Sequence, residues 1–294
     1  MTKVEWTIKK EHEGFMIRDY LQQIHGFSRR MIKAIKFDGG NILVNGSPQT
    51  VRYILQTGDC LTIEFPNELK GATMEPIEME LSIVYEDDNV IVLNKPAHIA
   101  TVPPLHHPRI SIANGLLHYY KQKAIPYTVH VVTRLDRNTS GLLLVAKHRY
   151  SHSLLAASQK KGEVKRHYQA IVEGHLAKPK GTIDLPIGRK EDSIIERRVD
   201  PAGKHAITHY EVLKEIGELS LVRVKLETGR THQIRVHFAH LNHPLAGDDL
   251  YGGSIERIDR HALHCDRLAF IHPKTKELLE FEVLMPEDMQ CLID

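Results

Sequence analysis

The residues whose types and spacing best suit chemistry lie near the middle of the chain, in the octet RLDRNTSG at positions 134–141. Here one carboxylate, Asp136, stands between the guanidinium groups of Arg134 and Arg137. Neighbouring positive charge lowers the pKa of a carboxyl, so we expect Asp136 to stay ionised and to face a substrate as a nucleophile. The alternative is a surface cluster of salt bridges, which is the usual meaning of an isolated R-x-D-R pattern.

Two further stretches bear on the octet. The apolar run LLLVA at 142–146 predicts a buried strand, with the octet as a tight loop at its mouth. Downstream lie TGRTHQIRVH at 228–237 and FAHLNHPLAGD at 238–248, which are rich in cationic and imidazole side chains. The octet and this second polar region are therefore considered together as candidates for one site.

Together, the octet and the second region closely resemble the second and third motifs of the RluA-type pseudouridine synthases. Those motifs read H-R-L-D-R-x-T-S-G-L-L-L and G-R-T-H-Q-[IL]-R-x-H-x-x-x-x-x-H-P-[IL]-x-G-D. The resemblance covers residues 81–294 and continues through LYG at 250–252, HALH at 261–264 and LAFIHP at 268–273. It implies an enzyme that isomerises uridine to pseudouridine in RNA. That reaction breaks a C–N glycosidic bond, turns the freed uracil and joins its carbon 5 to the ribose, so no cofactor, metal or external group donor is expected.

The resemblance implies three catalytic residues, of which Asp136 is the first. Tyr168 matches the family's K-x-Y-x-A strand motif, where a tyrosine stacks on the target base and can accept the carbon-5 proton. Without this resemblance, a tyrosine on an amphipathic strand such as Tyr168 would be interpreted as a core residue. Arg235, the last arginine of GRTHQIR, is implied to form a salt bridge with Asp136 and to keep it ionised.

Three residues of the same region are predicted to contact RNA. The resemblance implies that Arg134 enters the space left by an everted nucleotide, whose extrusion costs roughly a few kcal/mol. Arg137 carries the same charge beside it. Lys95 lies in Asn94-Lys95-Pro96-Ala97, which resembles the family's K-P-x-G motif, and we expect it to shape the floor beneath the catalytic loop.

The sequence departs from the family pattern at three positions. Thr133 replaces a histidine, Asn138 a common aspartate and His98 the glycine of K-P-x-G. These departures bear on the choice of RNA and on the fit around the target base. The downstream histidines also permit a zinc interpretation, because spacings of three can align imidazoles on one helix face. These histidines are His232, His237, His240 and His243. Cysteine or carboxylate partners at ligand spacing are missing, and all of these histidines except His240 coincide with the family's metal-free motif.

Composition places the chain among ordinary globular proteins. It has 294 residues, 41% hydrophobic and 26% charged, enough for one large and one small domain. The net charge of +2 means that a nucleic-acid partner must be bound by local basic patches. Three cysteines and no signal-peptide pattern or apolar run of about 18 residues predict a cytoplasmic protein without membrane contact. We expect a monomer.

Residues 1–66 are predicted to form a small α+β unit. Phe15, Ile17, Leu21 and Ile24 mark one helical face, and Ser28 is a suitable N-cap for a second helix. A strand ending in VNG and a later GD turn complete a pattern that resembles the alpha-L RNA-binding module of a small-subunit ribosomal protein. The alternative is an ordinary solvated helix. The second helix carries four basic residues on its outer side, predicted to contact RNA: Arg29, Arg30, Lys33 and Lys36.

Residues 67–80 lack periodicity and contain Gly and Pro, which predicts a linker. Residues 81–294 mix strands and helices, which predicts an α+β catalytic domain with a mixed, largely antiparallel sheet flanked by helices and loops. A hairpin is expected to open this domain, with its turn at residues 87–89.

Ribosomal RNA is the favoured substrate because of the appended basic module, and transfer RNA is the alternative. Two other classes of protein are less consistent with the sequence. A non-catalytic RNA-binding or ribosome-assembly factor would not need Asp136, Tyr168 and Arg235. A glycoside-cleaving enzyme would need a second carboxylate, and the sequence offers no convincing one.

Overall fold

The computed structural model describes residues 3–66, 68, 74–103, 110–125 and 128–294. Within these ranges the helices are α1 Ile17–Gln23, α2 Arg29–Phe37, α3 Ile112–Gln122, α4 Arg149–Lys160, α5 Gln233–His240 and α6 Glu287–Gln290. The strands are β1 Lys3–Thr7, β2 Asn41–Val44, β3 Ser47–Pro48, β4 Cys60–Glu64, β5 Ile83–Glu86, β6 Val90–Lys95, β7 His130–Val131, β8 Ser140–Ala146, β9 Lys165–Glu173, β10 Lys180–Asp184, β11 Ile187–Arg189, β12 Arg197–Val199, β13 Ile207–Ile216, β14 Leu219–Leu226, β15 Leu263–Ile271 and β16 Leu278–Glu282.

The first four strands form an antiparallel sheet in the order β1-β4-β2-β3, which shares an apolar core with α1 and α2. The predicted N-cap of α2 is present, because the Ser28 hydroxyl accepts the Met31 N–H at 3.1 Å. Ile17 and Leu21 of α1 are fully buried. Ile24, predicted to share the helical face of these residues, lies just past the end of α1 at Gln23 and is exposed.

A second, ten-stranded sheet follows the order β10-β13-β14-β9-β15-β8-β6-β5, with β16 paired to β15 and β7 to β8. Its strand pairs are antiparallel except β8 with β15, which are parallel. The predicted α+β class with a mixed, largely antiparallel sheet is therefore confirmed. The predicted hairpin is β5–β6, and all seven residues of β8 are buried because strands flank it on both sides.

The start of β8 is fixed by a close approach to β15. Gly141 has φ +109°, and a Cβ there would collide with the backbone of Cys265. Only glycine tolerates both the positive φ and the short separation. Ser140 and Thr139, just before it, bond the imidazoles of His264 and His261 at 2.9 Å. These contacts fix the loop that precedes β8, which contains Asp136.

The two sheets meet at the start of α4. The ring of Tyr150 packs on Phe27 and Phe65 of the first core, at centroid distances of 5.0 and 5.4 Å. Of the predicted linker, residues 67 and 69–73 lie outside the described residues, whereas Glu68 pairs with His130. No helix in the described part of the chain is long and apolar enough to cross a membrane.

Candidate active site

A cavity of about 390 Å³ opens where the loop before β8 meets the segment that leads into α5. Its polar lining comes from three elements: the 134–139 loop, strand β9 and residues 229–235. The charged and ring-bearing side chains of this lining include Arg134, Asp136, Arg166, Tyr168, Arg230, His232 and Arg235. The structure thus brings the three predicted catalytic residues to one cavity, although they are up to 99 positions apart in the sequence.

Asp136 is the acidic side chain of this cavity lining, and its side chain is 30% exposed. Its Oδ2 lies 3.5 Å from Arg235 Nη1 and 3.9 Å from His232 Nε2. The loop backbone is closed by the Thr139 N–H, which donates to the Asp136 carbonyl at 3.2 Å. A carboxylate placed between two nitrogen-bearing side chains and open to the cavity can act on a bound ligand.

Arg235 makes its stronger contact with a residue that the sequence interpretation did not single out. Its Nε and Nη2 both donate to Asp248, each at 2.7 Å, and Asp248 is 0% exposed. The ring of Tyr251 lies 4.9 Å from the guanidinium carbon of Arg235. The signal for Asp248 was the G-D that closes the third motif. Gly247 has φ +75° and approaches the backbone of Arg260 too closely for any Cβ, which explains why glycine precedes the aspartate.

Tyr168 lines the cavity from β9 and is 3% exposed. Its phenol oxygen accepts a hydrogen bond from Arg166 Nη1 at 3.1 Å. Burial raises the pKa of Tyr168 well above its ordinary value, with Arg166 opposing the shift, so the phenol is neutral at physiological pH. Arg166 itself occupies the first position of the K-x-Y-x-A motif, and its Nη2 would lie 3.0 Å from a Cβ at Gly229.

Lys95 lies outside the lining of this cavity, beneath the catalytic loop, and its contact with RNA stays a prediction. It is 1% exposed, and its ammonium donates to the carbonyls of Pro96, Ile99 and Arg137 at 2.7, 2.8 and 3.1 Å. Burial lowers the pKa of Lys95 to about 7, with Asp136 opposing the shift. Three carbonyl acceptors use all three ammonium donors. Lys95 therefore ties the K-P loop to the loop that carries Asp136.

Arg134 and Arg137 are both exposed and lie on the cavity wall. Arg137 Nε donates to the His98 carbonyl at 3.0 Å. His98 adopts φ +66°, the left-handed conformation that explains the glycine of the family motif at this position. Thr133, another departure, is buried, and its hydroxyl accepts the Leu144 N–H at 3.0 Å. The carbonyl of Asn138 accepts from Arg260 at 3.1 Å.

The histidines of the second region face different partners. His232 Nδ1 bonds the Tyr251 hydroxyl, His237 bonds Thr208 and the Leu185 carbonyl, and His243 bonds the Glu173 carbonyl. Across residues 3–66, 68, 74–103, 110–125 and 128–294, no group of three or more His, Cys, Asp or Glu side chains is arranged to hold a metal ion.

The four basic residues of α2 lie away from the cavity lining, on the outer side of the first sheet's helix layer. All four are exposed, whereas Met31, Ile32 and Ile35 of the same helix are buried; the basic residues are Arg29, Arg30, Lys33 and Lys36. Apart from Lys95, the residues predicted to contact RNA therefore lie in two groups, one at the cavity and one on α2.

Comparison with known proteins identifies the class. A family described as RNA pseudouridylate synthase matches residues 89–240, more than half of the chain. An uncharacterized RNA pseudouridine synthase of Bacillus subtilis, YjbO, is 48% identical over 94% of this chain and 98% of its own length. The ribosomal large subunit pseudouridine synthase D of Vibrio cholerae is 40% identical over 90% of this chain and 85% of its own. Among solved structures, human RNA pseudouridylate synthase domain containing 1 has a TM-score of 0.58 at 28% identity, over 72% of this chain and 86% of that chain.

The chain therefore belongs to the RNA pseudouridylate synthase family, whose enzymes isomerise uridine to pseudouridine in RNA. The predicted resemblance to RluA-type pseudouridine synthases is confirmed at this level.

Proposed function

We propose that this protein acts as a monomer and converts uridine to pseudouridine in ribosomal RNA, with Asp136 as the catalytic carboxylate. One observation carries the proposal: Asp136 is open to a cavity of about 390 Å³ and lies 3.5 Å from Arg235. Cavities of this size class hold small ligands with most of their surface covered. The target uridine enters it after eversion from the folded RNA.

The cavity residues fit the needs of the isomerisation. The glycosidic bond between ribose carbon 1 and uracil N1 breaks, the uracil turns, and carbon 5 joins ribose carbon 1. Carbon 5 then loses one proton and N1 gains one, so the reaction needs no net donor. Asp136 serves as the covalent nucleophile or charge stabiliser, at either the sugar or the base. Tyr168 packs on the uracil ring and relays the carbon-5 proton.

Cationic side chains around the cavity are suited to the RNA backbone. Arg134 and Arg137 flank the entrance on the catalytic loop, and Arg230 approaches from the other side, with its Nε bonded to the His205 carbonyl. Guanidinium groups bind phosphate and stack on bases, which offsets the cost of eversion. Arg134 occupies the space that the everted nucleotide leaves.

The choice of ribosomal RNA rests on two supports. Relatives that align over most of the chain are named ribosomal large subunit pseudouridine synthase D. Residues 1–66 also present the exposed basic face of α2, which suits a module that holds structured RNA. We divide the chain accordingly into this RNA-binding module, a linker at 67–80 and a catalytic domain at 81–294.

The experiment uses ribosomal and transfer RNA from cells that lack the protein. Each RNA is incubated with wild type, Asp136→Asn or Asp88→Asn, and pseudouridine is mapped by position. Asp88 is an exposed carboxylate in the β5–β6 turn, at the opposite end of β8 from Asp136, and serves as the matched control. We expect new pseudouridine in ribosomal RNA with wild type and Asp88→Asn, and none with Asp136→Asn. Modification of transfer RNA alone would reject ribosomal RNA as the substrate. Identical pseudouridine maps from all three proteins would reject the catalytic role of Asp136.

A further inference from the structure

One short turn contacts both side chains that face Asp136. A 3-10 turn spans Asp249–Tyr251, and the Tyr251 N–H donates to the carbonyl of the preceding Asp248 at 3.1 Å. Asp248 bonds Arg235, and Tyr251 bonds His232. Asp248, which precedes the turn, and Tyr251, which ends it, are therefore linked to Asp136 through Arg235 and His232.

Asp248 occupies the two-nitrogen fork of Arg235, with both bonds at 2.7 Å. Only Nη1 is left for Asp136, at the longer distance of 3.5 Å. A fork-to-carboxylate pair fixes both oxygens, so a carboxylate bound in that way is a poor nucleophile. Because Asp248 holds the fork, Arg235 supplies positive charge to Asp136 while leaving that carboxylate open to the cavity. Asp248 is fully buried, so its side chain cannot contact RNA directly in this structure.

Tyr251 sets the tautomer of His232. The Arg197 N–H donates to the Tyr251 oxygen at 2.9 Å, and that oxygen lies 2.8 Å from His232 Nδ1. Every polar hydrogen is satisfied when the phenol donates to Nδ1, which leaves the hydrogen of the neutral imidazole on Nε2. Nε2 is the atom that faces Asp136, at 3.9 Å. His232 also has φ +56° at the start of α5, a conformation that its surroundings must hold in place.

We propose that Asp248 and Tyr251 are positioning residues for Asp136, with Asp248 acting through Arg235 and Tyr251 acting through the Nε2–H tautomer of His232. This inference rests on the proposed function, because it assigns the turn a role in the reaction of Asp136. The turn sets the direction and charge environment of the carboxylate without touching the substrate.

The first test is Tyr251→Phe, which removes one hydroxyl and keeps the ring beside Arg235. We expect kcat to fall about 10-fold, as when an outer hydrogen-bond partner is lost, with KM changed by less than about 2-fold. Nδ1 then becomes free to take a proton, so the acid limb of the kcat profile should move to higher pH. The other charged or titratable groups around His232 are the same in wild type and in Tyr251→Phe. They are Asp136, Arg235, Arg197, Asp248 and His261.

Two variants separate positioning from general damage. Tyr120→Phe is the matched control, because the Tyr120 hydroxyl is buried and has no hydrogen-bond partner among the described residues. His232→Gln retains an N–H in the place of Nε2–H without a titrating ring. We expect wild-type kinetics for Tyr120→Phe. In the His232→Gln background, adding Tyr251→Phe should leave the acid limb of the kcat profile where it is in His232→Gln alone.

The second test is Asp248→Asn, which keeps the shape of the side chain and removes its charge. Arg235 is then free to turn its fork towards Asp136, and we expect kcat to fall about 100-fold, as for a misplaced reacting group. Asp248→Glu should restore part of the rate. Wild-type kcat and an unmoved acid limb in Tyr251→Phe would overturn the inference. If Asp136→Asn is inactive in the same assay, the proposed function survives that result; if Asp136→Asn is active, the proposed function itself fails.

Discussion

The cations around the cavity and the cations on α2 are held in opposite ways. Arg235 is bound at 2.7 Å by a buried carboxylate, and Lys95 donates to three carbonyls. Arg29 and Arg30 on α2 are exposed, and no ion pair is formed by either within the described residues. The two groups differ because chemistry needs one fixed geometry, whereas attraction to a phosphate backbone needs only nearby positive charge.

The sharpest contrast should come from Arg235. Arg235→Lys keeps a positive charge but cannot bind Asp248 through a fork, so we expect kcat to fall about 100-fold while RNA affinity is retained. Steady-state kinetics and filter binding on the same RNA measure the two quantities. An equal loss of RNA affinity would place Arg235 with the RNA-holding cations instead.

Arg235→Ala should cost stability as well as activity. It leaves the buried Asp248 carboxylate without a partner, which costs about 3–5 kcal/mol in comparable sites. Arg235→Ala/Asp248→Ala should recover part of that loss, as measured by urea unfolding. A double variant less stable than the single one would show that the two side chains do not compensate each other.

Lys95 is a buried cation beneath the catalytic loop, and its substitution should affect stability and not RNA affinity. Lys95→Met removes the donor to three loop carbonyls, and we expect the free energy of unfolding to fall by about 3 kcal/mol. Arg134→Ala, at the exposed rim, should do the reverse, with weaker RNA binding and unchanged stability. Weaker RNA binding by Lys95→Met at a pH where it remains folded would support the prediction that this residue contacts RNA.

The α2 surface should follow the salt dependence of phosphate contacts. Arg29→Ala/Arg30→Ala should weaken RNA binding and lower the slope of log K against log salt by about 1–2. Lys9→Ala/Lys10→Ala, two exposed lysines of the same sheet unit, is the matched control. An unchanged slope in the α2 variant would leave this helix as ordinary solvated surface.

The smallest expected effect concerns His264, which fixes the start of β8 through Ser140. Burial lowers the pKa of His264 to about 4, with Arg260 adding to the shift. Between pH 6.5 and 4 the unfolded chain binds more protons than the folded one, so stability is lost as the pH falls through this window. The contribution is at most about 1.4 kcal/mol per pH unit. His264→Gln should reduce the slope of unfolding free energy against pH; an identical slope would show that His264 does not contribute in this way.

The sequence predicted those parts whose signals are local. The run at 142–146 is the buried centre of β8, and the Ser28 cap begins α2, because alternation, apolar runs and caps depend on near neighbours. The contact between Asp136 and Arg235 was predicted from the motif resemblance and not from the periodicity of the sequence. The Asp248 partner of Arg235 and the three carbonyl acceptors of Lys95 were not predicted, because both depend on contacts between residues distant in sequence.

Single-turnover kinetics with wild type and Asp136→Asn on the same ribosomal RNA, with the dissociation constant measured alongside, give the most direct test of the catalytic carboxylate. We predict that Asp136→Asn binds RNA as tightly as wild type and forms no pseudouridine. Formation of pseudouridine by Asp136→Asn at the wild-type rate would contradict the catalytic role of this residue.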